Sequence, residues 1–172
     1  MKYFIITSLI FLLGLLCFIT CRAQERLVEN RAFDLMLKGL VPTEAPNVSV
    51  ATVQQAENIL YLDAREREEF EISHIPGAIW VGYDDFDISR VEGLDENQQI
   101  VVYCSVGYRS GKVAAQLQDS GFANVENLYG GIFEWSNQGF PLVDSSEVKT
   151  QKVHGYGPTW GIWVKKGEVV YE

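Results

Sequence analysis

The stretch YCSVGYRSGK, residues 103–112, places a cysteine at the end of an apolar run. Gly107 follows three residues later and Arg109 two beyond that. Read as a strand–loop–helix junction, this segment is built for an anion. A helix N-terminus carries unpaired N–H groups and partial positive charge. A tight loop with inward-pointing amides forms an anion nest. Gly107 permits the positive φ such a turn needs, and Ser110 is placed to cap the helix. Arg109 adds a permanent charge and a planar fork of donors. A sulfur in this setting is expected as a thiolate, which is the nucleophilic form. The competing reading of Cys104 is an inert buried thiol, a common fate of free cysteine. The anion-nest context favours chemistry.

Positioning this loop falls to the surrounding elements. The run ILYLDA (59–64) reads as a short strand, REREEFEI (65–72) as a charged helical segment, and HIPGAIWVGY (74–83) as a turn into a strand. QIVVYC (99–104) is a second continuous apolar strand. SGKVAAQLQDSGF (110–122) carries Val113, Ala114, Leu117 and Gly121 on one helical face. VENLYG (125–130) is a strand, and GIFEWSNQG (131–139) a short helix closed by glycine. Short apolar strands alternating with helices imply an α/β fold with a parallel sheet covered on both faces. Ligands in such folds sit beyond the carboxyl ends of strands, where Cys104 lies. Upstream, ERLVENRAFDLMLKGL (25–40) predicts a helix with Val28, Ala32, Leu35, Met36 and Leu40 inward.

The chain has 172 residues and a net charge of −9, without basic clusters. This argues against nucleic acid as a partner, since that affinity rests mainly on Lys and Arg at phosphates. Residues 3–20 are apolar and uncharged behind Lys2, as in an export signal or membrane anchor. Cleavage after Ala23, lipidation at Cys21 and a retained anchor all remain open, and all three export the domain. Residues 1–23 are thus leader, 24–47 a helix and connection, 48–141 the domain proper, and 142–172 an extension. Any membrane contact is expected through residues 1–23 alone. Cys17 and Cys21 fall in the leader, so a cleaved product has Cys104 as its one thiol. One cysteine and two distant histidines, His74 and His154, make no zinc set, and no cofactor motif is present.

LDAREREEF (62–70), HIPGA (74–78), VVYCSVGYRS (101–110) and LYGGIFEW (128–135), in that order and spacing, resemble the rhodanese family of sulfurtransferases. The resemblance covers about residues 48–141. It implies a rhodanese-like fold, a five-stranded parallel sheet flanked by helices on both faces. It further implies that Cys104 takes sulfur from a donor such as thiosulfate and becomes a persulfide. The amides from Ser105 to Ser110 would hold that persulfide. A thiophilic acceptor, cyanide or a thiol including a protein thiol, would remove the sulfur. The four residues between Cys104 and Arg109 match the sulfurtransferase loop; the phosphatase branch of the fold has one more. An alternative use of the fold is an exported thiol-redox or partner-binding module.

Under this resemblance Arg109 either steers an anionic donor or bridges loop carbonyls, and Ser105, Val106 and Tyr108 project to shape substrate choice. Asp63 and Arg65 follow a strand end and either touch substrate or brace the loop. His74 sits in a structural turn. Glu66, Arg67, Glu68, Glu69 and Glu71 read as a solvated helix face. The extension, dense in Gly and in Tyr156, Trp160 and Trp163, reads as a hairpin or strand pair folding back on the domain. It either covers apolar surface or reaches the rim of the Cys104 loop.

Overall fold

The computed structural model describes residues 26–172; the expected leader lies outside the described residues. Five strands form one parallel sheet: β1 (Asn47–Val48), β2 (Leu60–Asp63), β3 (Ile79–Trp80), β4 (Ile100–Tyr103) and β5 (Val125–Leu128). Their order is β1-β5-β4-β2-β3. β4 is therefore central, with Leu60–Asp63 in register with Ile100–Tyr103 on one side and β5 on the other. Its four residues are buried on both faces, Ile100 and Val102 in one apolar layer and Val101 and Tyr103 in the other. That is why this strand reads as a continuous apolar run rather than an alternation.

Helix α4 (Tyr108–Asp119) covers one face with Val113, Ala114 and Leu117, as the spacing predicted. Gly121 follows its end at positive φ. The other layer receives α1 (Arg31–Lys38) and α5 (Gly131–Asn137). The short helices α2 (Val50–Val53) and α3 (Arg67–Ile72) connect the strands.

The phase of α1 differs from the expected one. Asn30 caps it by accepting from the Ala32 and Phe33 amides, so Val28 lies outside the helix and cannot set its phase. Phe33 and Leu37 face inward, whereas Leu35 is 74% exposed.

The extension folds back on the layer that holds α1. β6 (Leu142–Val143) and β7 (Lys149–Thr150) form an antiparallel pair. The aromatic-rich segment is a strand pair too, but a parallel one: β8 (Lys152–His154) with β9 (Glu168–Val170). Helix α6 (Pro158–Gly161) lies in the connection between them, and a crossover of that kind suits parallel strands rather than a hairpin. Trp163 stacks on Phe33 at 5.2 Å, and Asn137 Nδ2 donates to the Trp163 carbonyl at 2.9 Å.

A buried ion pair holds the carboxyl end of β2. The Arg65 Nη2 group donates to Asp63 Oδ2 at 2.6 Å and to the Ser73 carbonyl at 2.6 Å. Both side chains are fully buried. Beyond Ser73, His74 stacks on Phe70 at 3.9 Å and bonds Val143 through its backbone, so it is a structural turn residue as expected. Arg65→Met would leave Asp63 buried without a cation, and unfolding in urea should show a loss of about 3–5 kcal/mol. Because Arg65 Nη1 has no hydrogen-bond partner, the double variant Asp63→Leu/Arg65→Met should recover a large part of that loss. A single-variant loss under about 1 kcal/mol would make the brace dispensable.

Candidate active site

Cys104 follows the last residue of β4, and its sulfur is buried in the loop that leads to α4. Gly107 adopts φ 109° and is itself the cap residue of α4, which begins at Tyr108. Ser110 therefore does not cap the helix, contrary to expectation. It sits in the first turn and donates from Oγ to Asn127 Oδ1 at 2.7 Å. The Gly107 amide donates to Cys104 Sγ at 3.1 Å.

The loop's carbonyls are tied away from the sulfur by the β5–α5 turn. Ile132 N donates to the Cys104 carbonyl at 2.9 Å, Phe133 N to Ser105 at 3.2 Å and Gly130 N to Val106 at 3.2 Å. Asn127 Nδ2 takes the Gly107 carbonyl at 2.9 Å. With carbonyls held outward, the loop is free to turn amides inward, as an anion nest requires. Gly131 makes this approach possible. At φ 56° it lies so close that an added Cβ would fall 2.3 Å from the Cys104 carbonyl oxygen.

Of the two parts expected of Arg109, bridging loop carbonyls finds no support among the described residues; the guanidinium lines the cavity beside Cys104, but as a paired cation. Its Nη1 donates to Glu69 Oε2 at 2.6 Å, and its Nη2 to Glu69 Oε1 at 2.9 Å and to Ser105 Oγ at 3.0 Å. Ser105 Oγ in turn donates to Glu69 Oε1 at 3.1 Å, so its side chain points inward rather than projecting. Glu69 is only 2% exposed, so the reading of residues 66–71 as a uniformly solvated face fails there. The reason is charge. A guanidinium brought under the loop needs a carboxylate, and the inner face of α3 supplies one. Glu69 Oε2 also accepts from the Glu66 amide at 3.1 Å. That Glu-x-x-Glu spacing is the one sequence signal that could have singled Glu69 out.

Burial works against the Cys104 thiolate. The Arg109 charge, the bonds from Ser110 and the Gly107 amide outweigh it and hold the thiol below its ordinary range. Burial likewise works against the Glu69 carboxylate, but its bonds with Arg109 and the Arg109 and Arg65 charges keep it below the usual range.

A cavity of about 380 Å³ opens over the loop. Cys104, Val106, Tyr108 and Arg109 form its floor, with Leu40 beside them. Tyr108 projects as expected; Val106 is buried but still lines the cavity. Asp63 and Arg65 are absent from the cavity; of their two expected roles, bracing is the one their contacts fit. Glu66, Tyr83 and Asp84, none of which was expected at the site from sequence, complete the rim together with Tyr156 and Trp160 of the extension. The extension thus does both things foreseen for it. It covers apolar surface through Trp163, and it reaches the rim. The Tyr156 ring lies over the Arg109 guanidinium at 5.0 Å, on a backbone with φ 59°.

Residues 49–138, just over half of the chain's 172, match the family described as Rhodanese-like domain. The chain is 32% identical over 97 residues to the putative sulfur carrier protein YrkF of Bacillus subtilis, covering 54% of this chain and 52% of that protein. It is 33% identical over 87 residues to a sulfurtransferase of Allochromatium vinosum, covering 51% and 80%. It is also 37% identical over 92 residues to the tRNA uridine(34) hydroxylase of Sodalis glossinidius, covering 48% of this chain but only 26% of that one. The chain thus spans about half the length of the Bacillus protein and a quarter of the hydroxylase. Among solved structures, the polysulfide-sulfur transferase homodimer of Wolinella succinogenes matches with a TM-score of 0.52, covering 67% of this chain and 89% of that one. At 21% identity this likeness establishes the shared fold. The parallel sheet, the Cys104 loop and these matches place the chain in the rhodanese-like sulfurtransferase family.

Proposed function

We propose that this protein carries sulfane sulfur on Cys104 and passes it to a thiophilic acceptor. The Cys104 thiolate attacks the outer sulfur of a donor such as thiosulfate. A new S–S bond forms at Cys104, the donor's S–S bond breaks, and sulfite leaves with the electron pair. The persulfide sits among the loop amides. Cyanide or a thiolate then attacks its outer sulfur, and Cys104 leaves as a thiolate, favoured by the same field that activated it. The observation that carries this reading is the Cys104 loop itself. Its carbonyls are all drawn outward, the Gly107 amide points at the sulfur, and a buried cation lies beside it.

The apolar residues 3–20 support an exported location. Among the described residues Cys104 is the only cysteine, so within them the persulfide meets no second thiol and must be emptied from outside.

Incubation with thiosulfate, followed by intact mass measurement, should reveal a gain of one sulfur. Cyanide should reverse it, and Cys104→Ser should abolish it. Absence of sulfur gain from wild-type protein would overturn the proposal. A mixed disulfide with a small thiol in its place would favour a redox module, and Cys104-dependent hydrolysis of an aryl phosphate would favour a phosphatase.

The thiolate's support can be tested through pH. A depressed thiol pKa moves the inflection of alkylation rate to lower pH than an ordinary cysteine's, which lies near 8.5. Alkylation of Cys104 by iodoacetamide across pH should follow that sign. Arg109→Met should move the inflection upward and, by stranding Glu69, cost about 3–5 kcal/mol of stability. Adding Glu69→Leu should restore much of the stability and leave the inflection high. An unmoved inflection in both variants would remove Arg109 from the account of the thiolate.

A further inference from the structure

A rhodanese loop that uses an anionic donor would be expected to offer that donor an uncommitted cation. Among the described residues, the one Lys or Arg that lines this site, Arg109, is already committed. Glu69 holds Arg109 in a two-pronged pair. Arg65 is held by Asp63, Arg67 by Glu71 at 2.9 Å, and Arg90 by Asp85 at 2.7 Å. Lys112 is in no ion pair among the described residues; its ammonium donates to the hydroxyl of the cavity residue Tyr108 at 2.7 Å, but Lys112 itself does not line the cavity.

Carboxylates, by contrast, do line it. Asp84 is exposed on the rim and is in no ion pair among the described residues. Glu66 faces the same space, and its nearest cation is Arg109 at 3.7 Å, already claimed by Glu69. Burial, with the neighbouring Asp84, Glu69 and Asp85 charges, raises the Glu66 carboxyl although Arg109 opposes it, as expected of a crowded negative rim.

The same cavity is also lined by the aromatic residues Tyr156 and Trp160. Tyr156 is 56% exposed, and its ring centroid lies 5.0 Å from the Arg109 guanidinium. Trp160 meets it edge-on at 6.4 Å between centroids. A non-glycine residue at positive φ is uncommon, and one that holds an exposed tyrosine over the reactive loop suggests a positional demand. Carboxylates facing aromatic rings attract cations twice over, by charge and by ring quadrupole.

We propose that the acceptor of the Cys104 sulfur is a small thiol bearing a positive charge, held between the Glu66 and Asp84 carboxylates and the Tyr156–Trp160 wall. The inference rests on the sulfur-transfer reading above and specifies its second step. The acceptor thiolate attacks the outer persulfide sulfur, its S–S bond forms as the bond to Cys104 breaks, and the product is the acceptor's persulfide. A cavity of about 380 Å³ accommodates an aminothiol with its ammonium at the rim and its sulfur at the floor.

The test compares three thiols of similar size on persulfide-loaded protein: cysteamine, 2-mercaptoethanol and 3-mercaptopropionate. Rates are expressed per thiolate. Cysteamine should exceed 3-mercaptopropionate by about tenfold or more at low salt, with the ratio shrinking as salt rises. Asp84→Lys should narrow or invert the ratio, and Tyr156→Ala should narrow it. Equal rates across the three, or a preference for the anion, would overturn the proposal.

A second measurement needs no sulfur transfer. Unloaded Cys104 is treated with cationic aminoethyl and anionic sulfonatoethyl methanethiosulfonate, each rate normalised to free N-acetylcysteine. Selectivity for the cation that Asp84→Lys abolishes supports the rim assignment, even if thiosulfate fails to load the protein. Absence of selectivity overturns it, even if loading succeeds.

Discussion

The hydrogen bonds from Gly130, Ile132 and Phe133 to the carbonyls of Val106, Cys104 and Ser105 decide which way the reactive loop faces. A loop of backbone has as many acceptors as donors, and an anion is welcome only when the acceptors are occupied elsewhere. The β5–α5 turn occupies them. It can do so because β5 lies directly beside β4 in the sheet, which brings two turns distant in sequence to the same edge. The close approach in turn demands Gly131, where any side chain would meet loop backbone.

The electrostatics depend on a second long-range contact. Arg109 alone would be an uncompensated buried charge, and Glu69 alone would be the same with opposite sign. Joined across α3 and α4 through both carboxylate oxygens, with Ser105 Oγ closing the triangle, they can sit beneath the loop. The consequence for chemistry is twofold. The cation still favours the thiolate beside it, yet it is no longer available to bind a free anion. On the reading proposed above, activation of the sulfur and recognition of its partners are therefore served by different groups.

The rim proposed to recognise those partners is mixed in origin: two of its five residues come from outside the matched family region. Tyr156 and Trp160 belong to the extension, which is anchored at several points on the domain. Val153 is buried in the core layer, Trp163 stacks on Phe33, and Ser136 Oγ donates to the Lys166 carbonyl at 2.7 Å. These anchors hold the segment firmly enough for Tyr156 to keep its left-handed backbone over Arg109.

Much of this was legible in the sequence. The continuous apolar run of β4, the Val113–Ala114–Leu117 face of α4 and the Cys104–Gly107–Arg109 spacing are local patterns. Backbone period and φ preference act over a few residues, so a single chain displays them. Element types, the parallel sheet and the nucleophile's place at a strand end followed from them. The phase of α1 was misread because one cap, at Asn30, outweighs the apolar count. The partners of Arg109, the inward turn of Ser105, the role of Asn127 and the acidic, aromatic rim were decided only by tertiary structure. Glu69 lies 40 residues from Arg109 in sequence, and in a run of five charged side chains the Glu66–Glu69 capping spacing hints at a local bond but not at burial beneath Arg109. Burial and pairing of a charge are properties of the space between elements, and that space exists only once the chain has folded.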